Sequence, residues 1–156
     1  MRSLQLDPLD CQLLDLLQAD AGRTNEQLAL EVGLSPSAIQ RRIRRLEAAG
    51  VIERRVALVD PARLASSALF VVGVEVERER PELVQPLRAW LRNQPAVQQA
   101  YYVTGSADYV LLVTAPSIAE FDALMTRMMS DNPNVRRFTT NVVMTAIKRG
   151  LFVPAG

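Results

Sequence analysis

Six arginines crowd one short stretch of this chain: Arg41, Arg42, Arg44, Arg45, Arg54 and Arg55. Between Pro36 and Arg55 only Glu47 and Glu53 oppose them, which leaves a local charge of +4. A guanidinium group is a planar fork of donors that fits phosphate oxygens and the acceptor edge of guanine. Placing Ile39 at zero and stepping about 100° per residue sets Ser37, Arg41, Arg44 and Ala48 nearly opposite it, with Gln40 and Arg45 on the flanks. Ile39, Ile43 and Leu46, at i, i+4 and i+7, form the apolar back of the same helix. A polar, cationic front of this kind suits a DNA groove; taken alone, it suits water equally well. Arg42 lies beside the apolar flank, so it is expected to pack or pair within the domain.

Other chemistry is limited by what the chain lacks. It has no histidine, which removes histidine-based acid–base catalysis, Ser-His and Cys-His nucleophiles and most zinc sites. Its single cysteine, Cys11, has no cationic neighbour in sequence and reads as an unreactive, partly exposed thiol. No catalytic or metal-binding residue is expected, and no cofactor. The net charge is +1, and residues 1–67 balance at nine basic and nine acidic side chains. The positive potential is therefore local to one helix and the segment after it, a footprint that contact with a phosphate backbone requires. No apolar run approaches the ~18 residues of a membrane span. The first residues turn polar and acidic too early for a signal peptide. A cytoplasmic, nucleoid-associated location is the expectation, without a membrane partner.

The elements that must position the arginines precede them. Asp7-Pro8 is a cap and first-turn pair opening a helix to about Ala19. Leu9, Leu13, Leu16 and Leu17 are expected on its buried side, and Asp10, Asp15 and Gln18 outward. Thr24-x-x-Gln27 is a capping-box spacing that opens a second helix, with Leu28, Ala29 and Val32 inward and Gly33 as its stop. Leu34 reads as an apolar plug. Ser35 then caps a third helix, Pro36 fits its first position, and Gly50 closes it. Two helices joined by a short glycine-containing turn form the helix-turn-helix arrangement, whose second member lies in the major groove. Val51–Val59 is rich in β-branched residues and reads as a strand or wing, with Arg54 and Arg55 placed to meet phosphate. Asp60-Pro61 starts a turn, or a single helical turn, through Leu64, and Ala65-Ser66-Ser67 marks the domain boundary. All eight aromatic residues lie beyond it, from Phe70 onward, so the two halves have different core chemistry.

The second half alternates between period-2 and helical patterns. Residues 68–77 read as a strand, Pro81 to about Asn93 as a helix, Val97–Val103 and Tyr109–Thr114 as strands. Ser117-x-x-Glu120 is a second capping-box spacing, opening a helix that carries Phe121, Leu124, Met125 and Met128 inward. Val135 to about Ile147 is strand-rich. The order β-α-β-β-α-β is the ferredoxin-like unit. The expected fold is α+β: a helix-turn-helix domain, with a candidate wing, over residues 1–65, and a ferredoxin-like domain for effector binding and oligomerisation over 66–156.

Five segments in order then resemble the Lrp/AsnC family of transcription regulators. They are Leu6-Asp7-Pro8-Leu9-Asp10; Val32-Gly33-Leu34-Ser35-Pro36; Arg44-Arg45-Leu46-Glu47 with Gly50-Val51-Ile52; Val103-Thr104-Gly105-Ser106-Ala107-Asp108-Tyr109; and Thr140-Asn141-Val142-Val143-Met144, ending near Lys148. The resemblance implies a regulator that binds double-stranded DNA, takes a small amino-acid effector, and pairs into homodimers that assemble into octamers. By position it implies Ser37, Gln40 and Arg41 as base readers, with Arg44 and Arg45 near phosphate; Thr24 and Ser35, at the two helix starts, and Arg54 and Arg55 complete the expected DNA-binding set. It also implies an effector loop of Thr104, Gly105, Ser106, Ala107 and Asp108, with Thr140 on the facing strand. The family often carries an acidic residue directly after the loop glycine, where this chain has Ser106. Gly105 would let backbone N–H groups approach a carboxylate, and Asp108 would accept from an ammonium. The same residues read equally as a tight hairpin turn.

Two other classes compete. Some proteins of this two-part architecture resemble sirohaem decarboxylases, which rely on basic side chains including histidine; the absence of histidine argues against an enzyme. A ligand sensor that has lost DNA binding would keep the second domain and give no mobility shift with DNA.

Overall fold

A computed structural model of the chain describes residues 4–60, Arg63 and residues 68–156. It resolves into two compact units, Met1–Leu58 with Lys148–Gly156, and Val59–Ile147. The expected boundary at Ala65-Ser66-Ser67, and most of the expected turn from Asp60 to Leu64, fall outside the described residues.

In the first unit, α1 (Pro8–Ala19), α2 (Asn25–Val32) and α3 (Pro36–Ala48) start where the caps dictate. Asp7 and Thr24 each close a reciprocal capping box, with Asp10 and Gln27 reaching back. The Ser35 hydroxyl accepts the Ala38 N–H at 3.3 Å. α3 ends in a Schellman arrangement: Gly50 takes φ 72°, the Gly50 N–H donates to the Glu47 carbonyl, and the Val51 N–H donates to that of Leu46. Leu13, Leu28, Ile39 and Leu46 are fully buried in an aliphatic core. On α1 the buried leucines are 13, 14 and 17, whereas Leu9 and Leu16 are half-buried.

Asp10 corrects the sequence reading most sharply. Counting around α1 alone places it outward, toward water, yet it is completely buried. The start of α1 lies against two arginines of α3, which cover it.

Two further readings change here. Val51–Val59 forms neither strand nor wing; the segment has no regular secondary structure and is exposed apart from Ile52. A strand needs a neighbour to fill its backbone hydrogen bonds, and among the described residues none pairs with this segment. The C-terminal stretch 148–156, grouped by sequence with the second domain, packs on α1. The Gln18 amide and the Val153 backbone exchange two hydrogen bonds of 2.8 Å, and Ala155 seats against the aliphatic core.

The second unit runs β1 (Ala68–Val76), α4 (Pro81–Arg92), β2 (Val97–Tyr102), β3 (Tyr109–Ala115), α5 (Ile118–Asp131) and β4 (Val135–Val142). Its four strands are antiparallel in the order β2-β3-β1-β4. β4 ends earlier than the sequence pattern suggests. Ser117 caps α5 by accepting the Glu120 N–H, without the reciprocal bond of a capping box. Alternate residues of β1 and β3, among them Phe70, Val72, Val74, Tyr109 and Leu111, face α4 and α5 and are buried. Phe70 stacks on Phe121 with ring centroids 4.0 Å apart. The opposite face of the sheet presents Leu69, Val71, Val110 and Leu112 in half-buried positions. Among the described residues, no helix is long and apolar enough to cross a membrane.

Candidate nucleic-acid interface and effector loop

The six arginines divide into two groups once their partners are known. Arg41, Arg44 and Arg54 are exposed and make no ion pair among the described residues. Arg42, Arg45 and Arg55 are held by carboxylates. Arg42 bridges Asp7 and Asp10 at 2.7 Å each, Arg45 donates to the other oxygen of Asp10, and Arg55 meets Glu47 at 2.8 Å. The pairing expected for Arg42 is present, and Arg45 shares it. The hydrogen bond from Arg42 holds the Asp7 carboxyl below its ordinary value, and the same pairing, with Asp7 before Asp10, raises the Arg42 guanidinium. Asp7 and Asp10 stand three apart at one helix start and Arg42 and Arg45 three apart on one helix flank, so each pair shares a face, and the fold brings the two faces together.

The uncharged candidates lie at the helix starts. Thr24 and Ser35 are exposed, and each is engaged as a cap. Ser37 is exposed with its hydroxyl 3.1 Å from that of Ser35, and Gln40 is exposed on the same front as Arg41 and Arg44. The front of α3 is therefore two hydroxyls, an amide and two unpaired guanidinium groups, with Arg54 just beyond its end.

The loop Thr104–Asp108 is built differently. Thr104, Gly105 and Ser106 are exposed, and Gly105 takes φ 129°, a region open to glycine. The Val103 N–H donates to the Asp108 carbonyl at 2.9 Å, closing the hairpin. Asp108 is stitched to the end of β1: its N–H donates to the Val74 carbonyl at 3.0 Å, and its Oδ2 accepts the Val76 N–H at 2.7 Å. Half of that carboxylate thus serves the fold.

Thr140 does not share the loop's face. It pairs with Val72, so by strand alternation it points to the helix-covered side. Thr139 pairs with Gly73 and points to the open side. A Cβ on Gly73 would lie 2.9 Å from the Thr139 hydroxyl and 3.3 Å from the Ala107 Cβ, so the glycine is what lets loop and strand approach. Phe138, packed against the core, marks the covered face of β4, and its neighbour Thr139 therefore takes the open one. No group of three or more His, Cys, Asp or Glu side chains suited to a metal occurs among the described residues.

Comparison with known proteins places both units. Residues 6–53 match the model for a winged helix-turn-helix DNA-binding domain, and residues 69–151 match that for the Lrp/AsnC ligand binding domain. The chain belongs to the Lrp/AsnC family. A helix-turn-helix transcriptional regulator of Sinorhizobium fredii is 40% identical over 97% of this chain and 90% of its own length. The leucine-responsive regulatory protein of Salmonella typhimurium is 32% identical over 92% of this chain and 88% of its own. A transcriptional regulator of Neisseria meningitidis, solved with L-methionine, superposes with a TM-score of 0.85 at 27% identity, covering 96% of this chain and 97% of that one. The protein is thus an Lrp/AsnC-type DNA-binding transcriptional regulator with a ligand-binding domain, of α+β fold. Its relatives are regulators rather than enzymes.

Proposed function

We propose that this protein regulates genes of amino-acid metabolism or transport, and that an amino acid bound by its second unit alters its DNA binding or its assembly. The observation that carries this reading is the cationic front of α3, unpaired among the described residues, in a chain whose other unit matches the Lrp/AsnC ligand binding domain. One relative is named leucine-responsive, and one structural neighbour holds L-methionine. α3 enters the major groove with Ser37, Gln40 and Arg41 at base edges, while Arg44 and Arg54 meet phosphate. Thr24 and Ser35 present helix N-termini to the backbone. Arg45 and Arg55 begin from carboxylate partners, so they enter less readily than the three free arginines.

For the effector, the backbone at Gly105, with Thr104, Ser106 and Ala107, receives a carboxylate, and the second oxygen of Asp108 receives the ammonium. Thr139 takes the role that the family resemblance implies for Thr140. The half-buried apolar sheet face supports pairing of two copies, and a two-fold dimer matches two half-sites about one helical turn apart; octamers extend the same pairing. The protein acts without catalysis, in the cytoplasm at the nucleoid.

Two measurements test this. Three free arginines per chain make six per dimer, for which DNA affinity falls with salt at a log–log slope of about −5. A flat response would remove the DNA half of the reading. A thermal-shift screen against the twenty amino acids should raise the melting temperature for the effector, because a ligand of the folded state stabilises it. No shift with any of them would remove the effector half.

A further inference from the structure

We propose that Asp10 is a positioning residue for DNA reading: it sets the rotation of α3 about its axis and withholds Arg45 and Arg42 from phosphate. The inference rests on the reading of α3 as the groove helix.

Asp10 is 0% exposed, and both its oxygens are occupied. Oδ1 accepts from Arg42 at 2.7 Å; Oδ2 accepts from Arg45 and from the Asp7 N–H at 3.1 Å. A buried carboxylate is strongly destabilised when a cationic partner leaves, so these bonds resist exchange for a phosphate. Arg42 and Arg45 are three residues apart, hence on one flank of α3, between its buried face at Ile39, Ile43 and Leu46 and its front at Arg41 and Arg44. Apolar contacts are non-directional and tolerate some rotation. Two charge-assisted bonds to one buried carboxylate do not. A rotation of about 20° would carry a side-chain tip, at a radius of ~5–6 Å, by about 2 Å. That exceeds the range over which a base-edge hydrogen bond survives. The charges also matter: Asp7 and Asp10 cancel Arg42 and Arg45, so the positive potential is confined to the front.

The test uses full-length Asp10→Asn, Arg41→Ala and wild type. Each is titrated, over a range of salt, with the duplex that wild type selects from a random pool and with a random duplex. Asp10→Asn should bind random DNA several-fold tighter at low salt, with a log–log slope steeper by about 1 per chain as Arg45 is released. Its preference for the selected duplex should fall at least tenfold. Should Asp10→Asn not fold, Arg45→Gln decides: selectivity falls while the salt slope stays at the wild-type value. Asp10→Asn with wild-type selectivity and slope, while Arg41→Ala loses preference, overturns this proposal alone. A shallower slope with intact selectivity in Arg45→Gln overturns it equally. A wild type that selects no duplex overturns the groove-helix reading and this proposal together.

Discussion

The front of α3 and the loop at Thr104–Asp108 handle charge in opposite ways. On α3 the fold pairs a subset of like-charged side chains and, among the described residues, leaves Arg41 and Arg44 unpaired, with Arg54 just beyond. In the loop, the single carboxylate turns inward, and Oδ2 of Asp108 holds the Val76 N–H. The difference lies in the elements. A helix satisfies its interior backbone groups by itself, so its outward side chains are available. A strand end beside a hairpin leaves N–H groups without a partner, and a nearby carboxylate is recruited to them. Charge on a helix front is thus better evidence of a ligand than charge in a β-turn. The units also differ inside: the first core is aliphatic, and the second is centred on the Phe70–Phe121 stack.

The largest test of this contrast is Phe70→Ala. Loss of a fully buried, stacked ring should cost about 3–5 kcal/mol. Hydrogen exchange should show lost protection across β1, β3 and α5, with α1–α3 retaining theirs; equal loss in both would mean the two cores act as one. Asp108→Ala comes next. Without effector it should lower stability by about 1.5–3 kcal/mol, read as a lower urea midpoint, since a charge-assisted backbone bond is lost. An unchanged midpoint would mean that the carboxylate is free for ligand, and the contrast with α3 would collapse. Gly73→Ala should cost about 1–3 kcal/mol by crowding Thr139 and Ala107. It should also weaken effector binding in calorimetry while DNA affinity holds.

Smaller effects separate the arginines. Arg54→Ala should make the salt slope shallower by about 1 per chain, whereas Arg55→Ala, which also frees Glu47, should change it less. Equal changes would erase the distinction between free and paired groups. The smallest effect is on pH. Asp7 has its carboxyl lowered from 3.8 by Arg42. Its pairing stabilises the first unit fully above that value, and the contribution is lost as pH falls through the lowered one. Asp7→Asn should therefore flatten the acid limb of the first unit's stability below pH 3.8, as followed by circular dichroism.

Local rules made most elements legible. Asp7, Thr24, Ser35 and Ser117 cap the helices at which their spacing points. Alternation marks β1 and β3, and the element order yields the ferredoxin-like unit. The misleading residues are those whose neighbours come from elsewhere in the chain. Val51–Val59 has strand composition and no partner strand among the described residues. Thr140 lies one residue from the strand position that faces the loop, and a shift of one reverses the face.

Sequence by itself determined where the helices and the strands β1–β3 run, that the positive charge is local to α3 and the segment just after it, and to which family the chain belongs. Those properties depend on neighbours within a few residues, or on patterns that survive without packing. Only the tertiary structure decided which arginines remain free, that Asp10 is buried beneath two of them, and that Asp108 is tied to β1. Each depends on which distant group fills the space beside a charge. A buried carboxylate must find cations, and an unpaired strand end must find an acceptor, wherever the fold brings them.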